Sequence, residues 1–259
     1  MHALAVLLIA ASGAAYCLAA WRRWRALGAP AEEQGPPTLV WLGFLALSLA
    51  LILAFCDAQN RDFLYVVLGI WAGVAALLFA SRFIAGPSRG LLVLPVGAAA
   101  LLVAVTSLVP THEQVRSVGV ITLLHAGFMS AYLAALLVAG SAGVLFIIAA
   151  RQLKSASPRA FRLPALPALA RITERAVIVA TAFLMAGVAT GGVAMQESPG
   201  AHLTQPSILL ALVNLALLVL FLAARAVNRL GHRGQAAAAA WCLIIGCLEL
   251  VGILVAPHG

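Results

Sequence analysis

Charge is what this chain lacks most. Asp, Glu, Lys and Arg together make up 9% of its 259 residues, against 64% for hydrophobic residues. A soluble domain needs roughly a quarter of its residues charged to clothe a water-facing surface, so a soluble fold is excluded. Disorder is excluded by the same numbers, because it requires low hydrophobicity and high charge. Acidic residues are the scarcer sign, 8 against 16 Lys and Arg. The basic residues stand in short clusters between apolar runs and form no continuous basic face, which points to a bilayer and away from nucleic acid. Cysteine is also sparse. Cys17, Cys56, Cys242 and Cys247 sit in or beside apolar segments, with no CxxC or CxxCH, a spacing that supports neither a disulfide framework nor a zinc site. GxSxG, HExxH, a P-loop and paired acidic clusters are all missing, which argues against a hydrolase or a nucleotide-driven pump.

What is present is apolar length, with a mean hydropathy of +1.07. Eight runs stand out, at about 2–20, 38–56, 62–81, 91–109, 118–150, 176–195, 206–224 and 236–256. Most are close to the 20 or so residues that cross about 30 Å of hydrocarbon as a helix. The fifth is longer and must tilt or stand its first turns in the interface. The runs are continuously apolar and do not alternate, so strands are not the spanning element. The expected fold is all-α: a polytopic transmembrane bundle of about eight spans forming one integral-membrane domain over residues 1–259.

The loops predict its orientation. Arg22, Arg23, Arg25, Arg82, Arg89, Arg151, Lys154, Arg159, Arg162, Arg171, Arg175, Arg225, Arg229 and Arg233 follow odd-numbered spans, 14 of the 16 basic residues; Arg61 and Arg116 alone fall on the opposite side. Basic loops face the cytoplasm, so both termini are expected outside. Span one, with no basic residue ahead of it and Trp21-Arg22-Arg23 after it, reads as a retained helix and not as a cleaved leader. Residues 152–175, with Pro158, Pro164 and Pro167, read as a loop along the cytoplasmic headgroups. Gly69 with Gly73, Gly187 with Gly191, and Gly140 with Gly143 are placed for close helix approach.

Few residues could carry chemistry. His125 lies inside the fifth span, nearer its outer end. An ionisable group at that depth faces the bundle interior with a partner. It is either a neutral imidazole bonded to a neighbouring helix or an axial ligand to haem iron. Glu249 is the one acidic residue inside a span, and it shares a helical face with Cys242 and Gly246. A structural hydrogen bond, a proton relay and a cation site are its alternatives. His112 and His202, in outward loops, are weaker candidates for an outer haem contact. Asn214 in span seven reads as a lone polar residue joining helices.

The order of several landmarks resembles the cytochrome c assembly protein family, in its short, eight-span CcsA-like branch (YpjD/HemX type). The resemblance rests on Arg89-Gly90-Leu91-Leu92-Val93-Leu94-Pro95 and on Leu123-Leu124-His125-Ala126-Gly127-Phe128 with Tyr132 two turns on. It is extended by Leu163-Pro164 through Thr173-Glu174-Arg175 and by Gly231-His232-Arg233-Gly234. It covers most of residues 80–259; the first eighty agree only in span count and sidedness. It implies haem handling during c-type cytochrome maturation in a bacterial cytoplasmic (inner) membrane, with b-type haem as cofactor and His125 as a ligand. Other maturation proteins or an apocytochrome are the implied partners. The chain departs from the family's haem lyases, whose outer loop is tryptophan-rich, because Gln196–Thr204 has no tryptophan. It also lacks the second-span histidine of short relatives, Leu42–Ala54 having none. An accessory role therefore fits better than catalysis of haem attachment. A haem-free scaffold subunit is the alternative expectation, and a small-solute or ion transporter using Glu249 is the third.

Overall fold

In a computed structural model the residues described are 2–26, 38–56, 61–81, 94–106, 120–155, 165–196, 206–227 and 229–255. They form eight helices: α1 (His2–Ala26), α2 (Thr38–Cys56), α3 (Arg61–Ser81), α4 (Leu94–Thr106), α5 (Val120–Lys154), α6 (Leu166–Gln196), α7 (Pro206–Ala226) and α8 (His232–Val255). No strand occurs among the described residues. A helix satisfies its own backbone hydrogen bonds, which is what a continuously apolar segment needs where no water is available. Five helices are long and apolar enough to cross a membrane: α1, α2, α5, α6 and α7. The chain therefore has the architecture of a multi-pass membrane protein.

The helix at the centre is α5. Its 35 residues span about 52 Å at 1.5 Å per residue, well beyond the hydrocarbon thickness. Leu136 through Gly143 are all buried, more than two full turns, so protein covers every side of this stretch. The covering helices are α6, α3 and α8, while α1 packs on α2 and α4. Glycine makes the closest of these seams. A Cβ at Gly69 or Gly73 of α3 would lie 2.8 Å from Leu133 or Leu137 of α5, and one at Gly143 would lie 2.7 Å from the Ala236 carbonyl oxygen of α8. Between lipid-embedded helices the packing attraction itself holds the seam, so backbone proximity matters more than side-chain bulk.

By contrast, α2 turns outward. Val40, Gly43, Leu47, Ala50 and Ala54 recur at helical spacing on its buried stripe. Trp41, Leu42, Leu45, Leu49, Ile52 and Phe55 stand exposed on the other side. Both faces are apolar, as expected where one meets protein and the other acyl chains.

The structure departs from the expected loop over 152–175. Residues 166–175 are the opening turns of α6, which begins ten residues before the apolar run read as its span. Leu169, Ala170, Thr173, Ala176, Val177 and Ala180 form one buried stripe running through both parts. Pro167 is the second helical residue, where an amide hydrogen has no intrahelical acceptor in any case, so proline there initiates the helix and does not break it.

Candidate functional site

Buried polar side chains occur at both ends of the bundle, Thr173 and Gln235 at one and Ser130 and Glu249 in the half that holds the start of α5 and the end of α8. His125 projects from the second turn of α5 onto α6. Its Nδ1 lies 2.8 Å from the carbonyl oxygen of Gly187. A carbonyl can only accept, so Nδ1 carries the hydrogen, and in the neutral ring Nε2 is then the nitrogen with the lone pair. One turn along α6, a Cβ on Gly191 would stand 2.9 Å from the ring's Cε1 and 3.0 Å from Nδ1. The ring thus lies on bare backbone, and any side chain at 191 would displace it. Met129, one turn along α5, fills the matching space at Gly187, where a Cβ would meet its sulfur at 2.7 Å. The Gly187/Gly191 pair is therefore a cradle for two α5 side chains as well as a helix contact. The next residue, Gly192, has nothing within 4 Å of where a Cβ would stand among the described residues. His125 itself is half-buried.

A neutral imidazole with Nδ1 anchored to a backbone carbonyl and Nε2 free is the arrangement in which histidine serves as a metal or haem ligand, the outer bond fixing tautomer and ring angle. The residues present fit such a group through one donor. Met129, four residues away on the same helix, has its sulfur packed toward the Gly187 backbone. Among the described residues no group of three or more His, Cys, Asp or Glu side chains could hold a metal ion.

Two turns further along α5, on the same side as His125, is a second polar group. Tyr132 is 2% exposed, Asn214 of α7 is 0% and Glu249 of α8 is 3%. Asn214 Nδ2 donates to the Tyr132 hydroxyl at 2.5 Å and to the Cys242 carbonyl oxygen at 3.1 Å. The Tyr132 hydroxyl donates in turn to Glu249 Oε2 at 3.4 Å. At Gly246 a Cβ would strike the Leu136 side chain of α5, while Asn214 Nδ2 and the Tyr132 hydroxyl would be in ordinary contact at 3.6 Å, which puts this glycine against both α5 and the polar junction. The Cys242, Gly246 and Glu249 face of α8 is thus turned toward α5 and α7. Asn214 is not isolated: it heads a chain of three side chains across three helices, with Tyr132 in the middle. Asn214 Oδ1 is buried without a hydrogen-bond partner among the described residues.

His112 and His202 lie outside the described residues, as do most of Gln196–Thr204 and the loop carrying Arg116. His2, at the start of α1, stacks edge-on against Phe63 at 4.7 Å. A cavity of about 670 Å³ opens elsewhere, between α1 and α5, walled by Cys17, Trp21, Trp24, Ser141 and Arg151. Its nearest α5 residue, Ser141, is sixteen positions from His125, about 24 Å along the axis. The cavity and the histidine are separate features. Comparison with family models, with curated proteins and with solved structures yields no match.

Proposed function

We propose that this chain is a haem-handling accessory protein of c-type cytochrome assembly in a bacterial inner membrane, with His125 as one axial ligand to b-type haem. The observation that carries the proposal is the anchoring of His125 Nδ1 on Gly187, which leaves Nε2 oriented and without a hydrogen-bond partner among the described residues. The landmarks shared with the cytochrome c assembly family supply the choice of cofactor. When bound, haem supplies an iron centre that takes a nitrogen donor on its axis. The chain's part is to hold the imidazole in one tautomer, to set its plane against the Gly191 backbone, and to present it within the bilayer. Its partners in this role are haem, other maturation proteins and an apocytochrome.

Orientation belongs to the same proposal: both termini outside, basic ends inside. Several basic helix ends lie at one end of the bundle. Arg23 and Arg25 close α1, Arg151 and Lys154 close α5, and Arg225 closes α7. Arg225 Nε meets Glu174 Oε1 at 3.3 Å, bringing the end of α7 to the start of α6, where Arg171 and Arg175 also lie. Cations there complement the carboxyl ends of α1, α5 and α7 and the anionic inner leaflet. His125 and Glu249 then sit in the outer half.

The test is spectroscopic. The protein purified in detergent and loaded with haem is expected to show a Soret band that His125→Ala abolishes or weakens at least tenfold. A band of unchanged position and intensity in His125→Ala overturns the ligand assignment. The absence of any band leaves the haem-free scaffold as the reading.

A further inference from the structure

We propose that Glu249, Tyr132 and Asn214 form an intramembrane proton site, in which the Glu249 carboxylic acid rests neutral and exchanges its proton with water beyond the C-terminal end of α8. This goes beyond the haem reading and stands whether or not iron binds at His125.

Charge compensation is the first argument. Glu249 is 3% exposed, and the group recorded bonding its carboxyl is the neutral hydroxyl of Tyr132. An ionised carboxylate buried without a cation is strongly disfavoured, and protonation removes the cost. Among the described residues, the helices packed on α8 bring up no cation at this level. From α5 come Tyr132 and, two turns away, His125, whose Nδ1 is engaged by Gly187. From α7 comes Asn214, and α4 contains no titratable residue. The charged residues of α6, Arg171, Glu174 and Arg175, are at its far end, and among its described side chains α3 brings Tyr65. On α8 itself the neighbours are Cys242 and Cys247.

Donor counting is the second argument. Asn214 spends both amide hydrogens, on Tyr132 and on the Cys242 carbonyl, and Tyr132 spends its own on Glu249. Asn214 Oδ1 is left as a fully buried acceptor with no donor among the described residues. Such an orphan is costly. With Tyr132 and Asn214 both spent, a proton on Glu249 is the one further N–H or O–H hydrogen these three side chains can carry. Release transfers that proton to water and leaves the carboxylate held by the Tyr132 hydroxyl. The path is short, because Glu249 is six residues before Val255, about 9 Å along the helix. A hard metal cation fits less well: it takes about six oxygens or more, and the cluster has four side-chain oxygens to give, its nearby carbonyl being already bonded.

Infrared spectroscopy of the purified full chain reads the site. The expected result at neutral pH is one carbonyl stretch of a protonated carboxyl. It moves down in heavy water, is lost in Glu249→Gln, and is displaced in Tyr132→Phe, where one hydrogen bond to the carboxyl is gone. A spectrum with no protonated-carboxyl band at neutral pH overturns the proposal, as does a band that survives Glu249→Gln or is insensitive to heavy water. Loss of the band on adding sodium at constant pH identifies a metal-cation site and overturns the proton assignment. Where Glu249→Gln does not assemble, Tyr132→Phe decides: a band that stays in place counts against the site. None of these readouts depends on haem, so failure here and failure at His125 are distinguishable.

Discussion

His125 and Gly187 meet at 2.8 Å, a side-chain nitrogen of α5 on a backbone carbonyl of α6. A glycine at 187 and another at 191 let the ring come that close, since a side chain at either position would fill the space used by Met129 or by the imidazole. Imidazole orientation and helix packing are therefore one feature.

Gly191→Leu separates that feature from its surroundings. The substitution is expected to push the imidazole off the α6 backbone and lower haem affinity about ten- to a hundredfold, the usual effect of disturbing what orients a ligand. Gly192→Leu, placed in open space, is expected to leave affinity within about twofold. Haem titration of the two variants side by side checks this. Equal losses in both would mean that α6 responds to bulk anywhere along its length, and the cradle would have no special role.

Sidedness makes its own prediction. A reporter active only outside the cytoplasm is expected to be active when fused after Gly259 and inactive when fused after Ala226; a cytoplasm-dependent fluorescent reporter should show the reverse. Fourteen of sixteen basic residues on one set of loops is the reason. An active outside reporter at Ala226 would invert the bundle and place His125 in the inner half.

The architecture was legible wherever physics leaves one option. A continuous apolar run of the right length has to be a helix, and all eight runs lie wholly or mostly within a helix of matching order. Which face of each helix looks inward was not legible, and α2 shows why: acyl chains are as apolar as a core, so Leu47 inside and Leu45 outside carry the same signal. Pro167 misled because proline marks loops in general, whereas at the second residue of α6 it marks a beginning. The Cys242, Gly246 and Glu249 face could be seen from spacing alone. Its partners could not, because Tyr132 and Asn214 are 82 positions apart and no local pattern links residues at that distance.

The Tyr132–Asn214 contact should register as a modest coupling. Hydrogen bonds between lipid-embedded helices average about 0.6 kcal/mol and reach about 1.7 kcal/mol. Unfolding of Tyr132→Phe, Asn214→Ala and the double variant in detergent is expected to give a coupling of about 1 kcal/mol, the two groups being fully buried. Additive single effects would show that the short contact carries no net energy.

Arg225 and Glu174 should behave differently despite bearing full charges. Their side chains are 33% and 31% exposed, at an end of the bundle where water and salt reach them. Such pairs typically contribute less than about 1 kcal/mol. Arg225→Ala is thus expected to cost less than about 1 kcal/mol of stability, and raising ionic strength should shrink the difference from the parent protein. The Tyr132–Asn214 coupling, buried among three helices, is expected to be indifferent to salt. If salt moved both equally, the polar junction would have to be open to ions, and a neutral resting carboxyl at Glu249 would lose its justification.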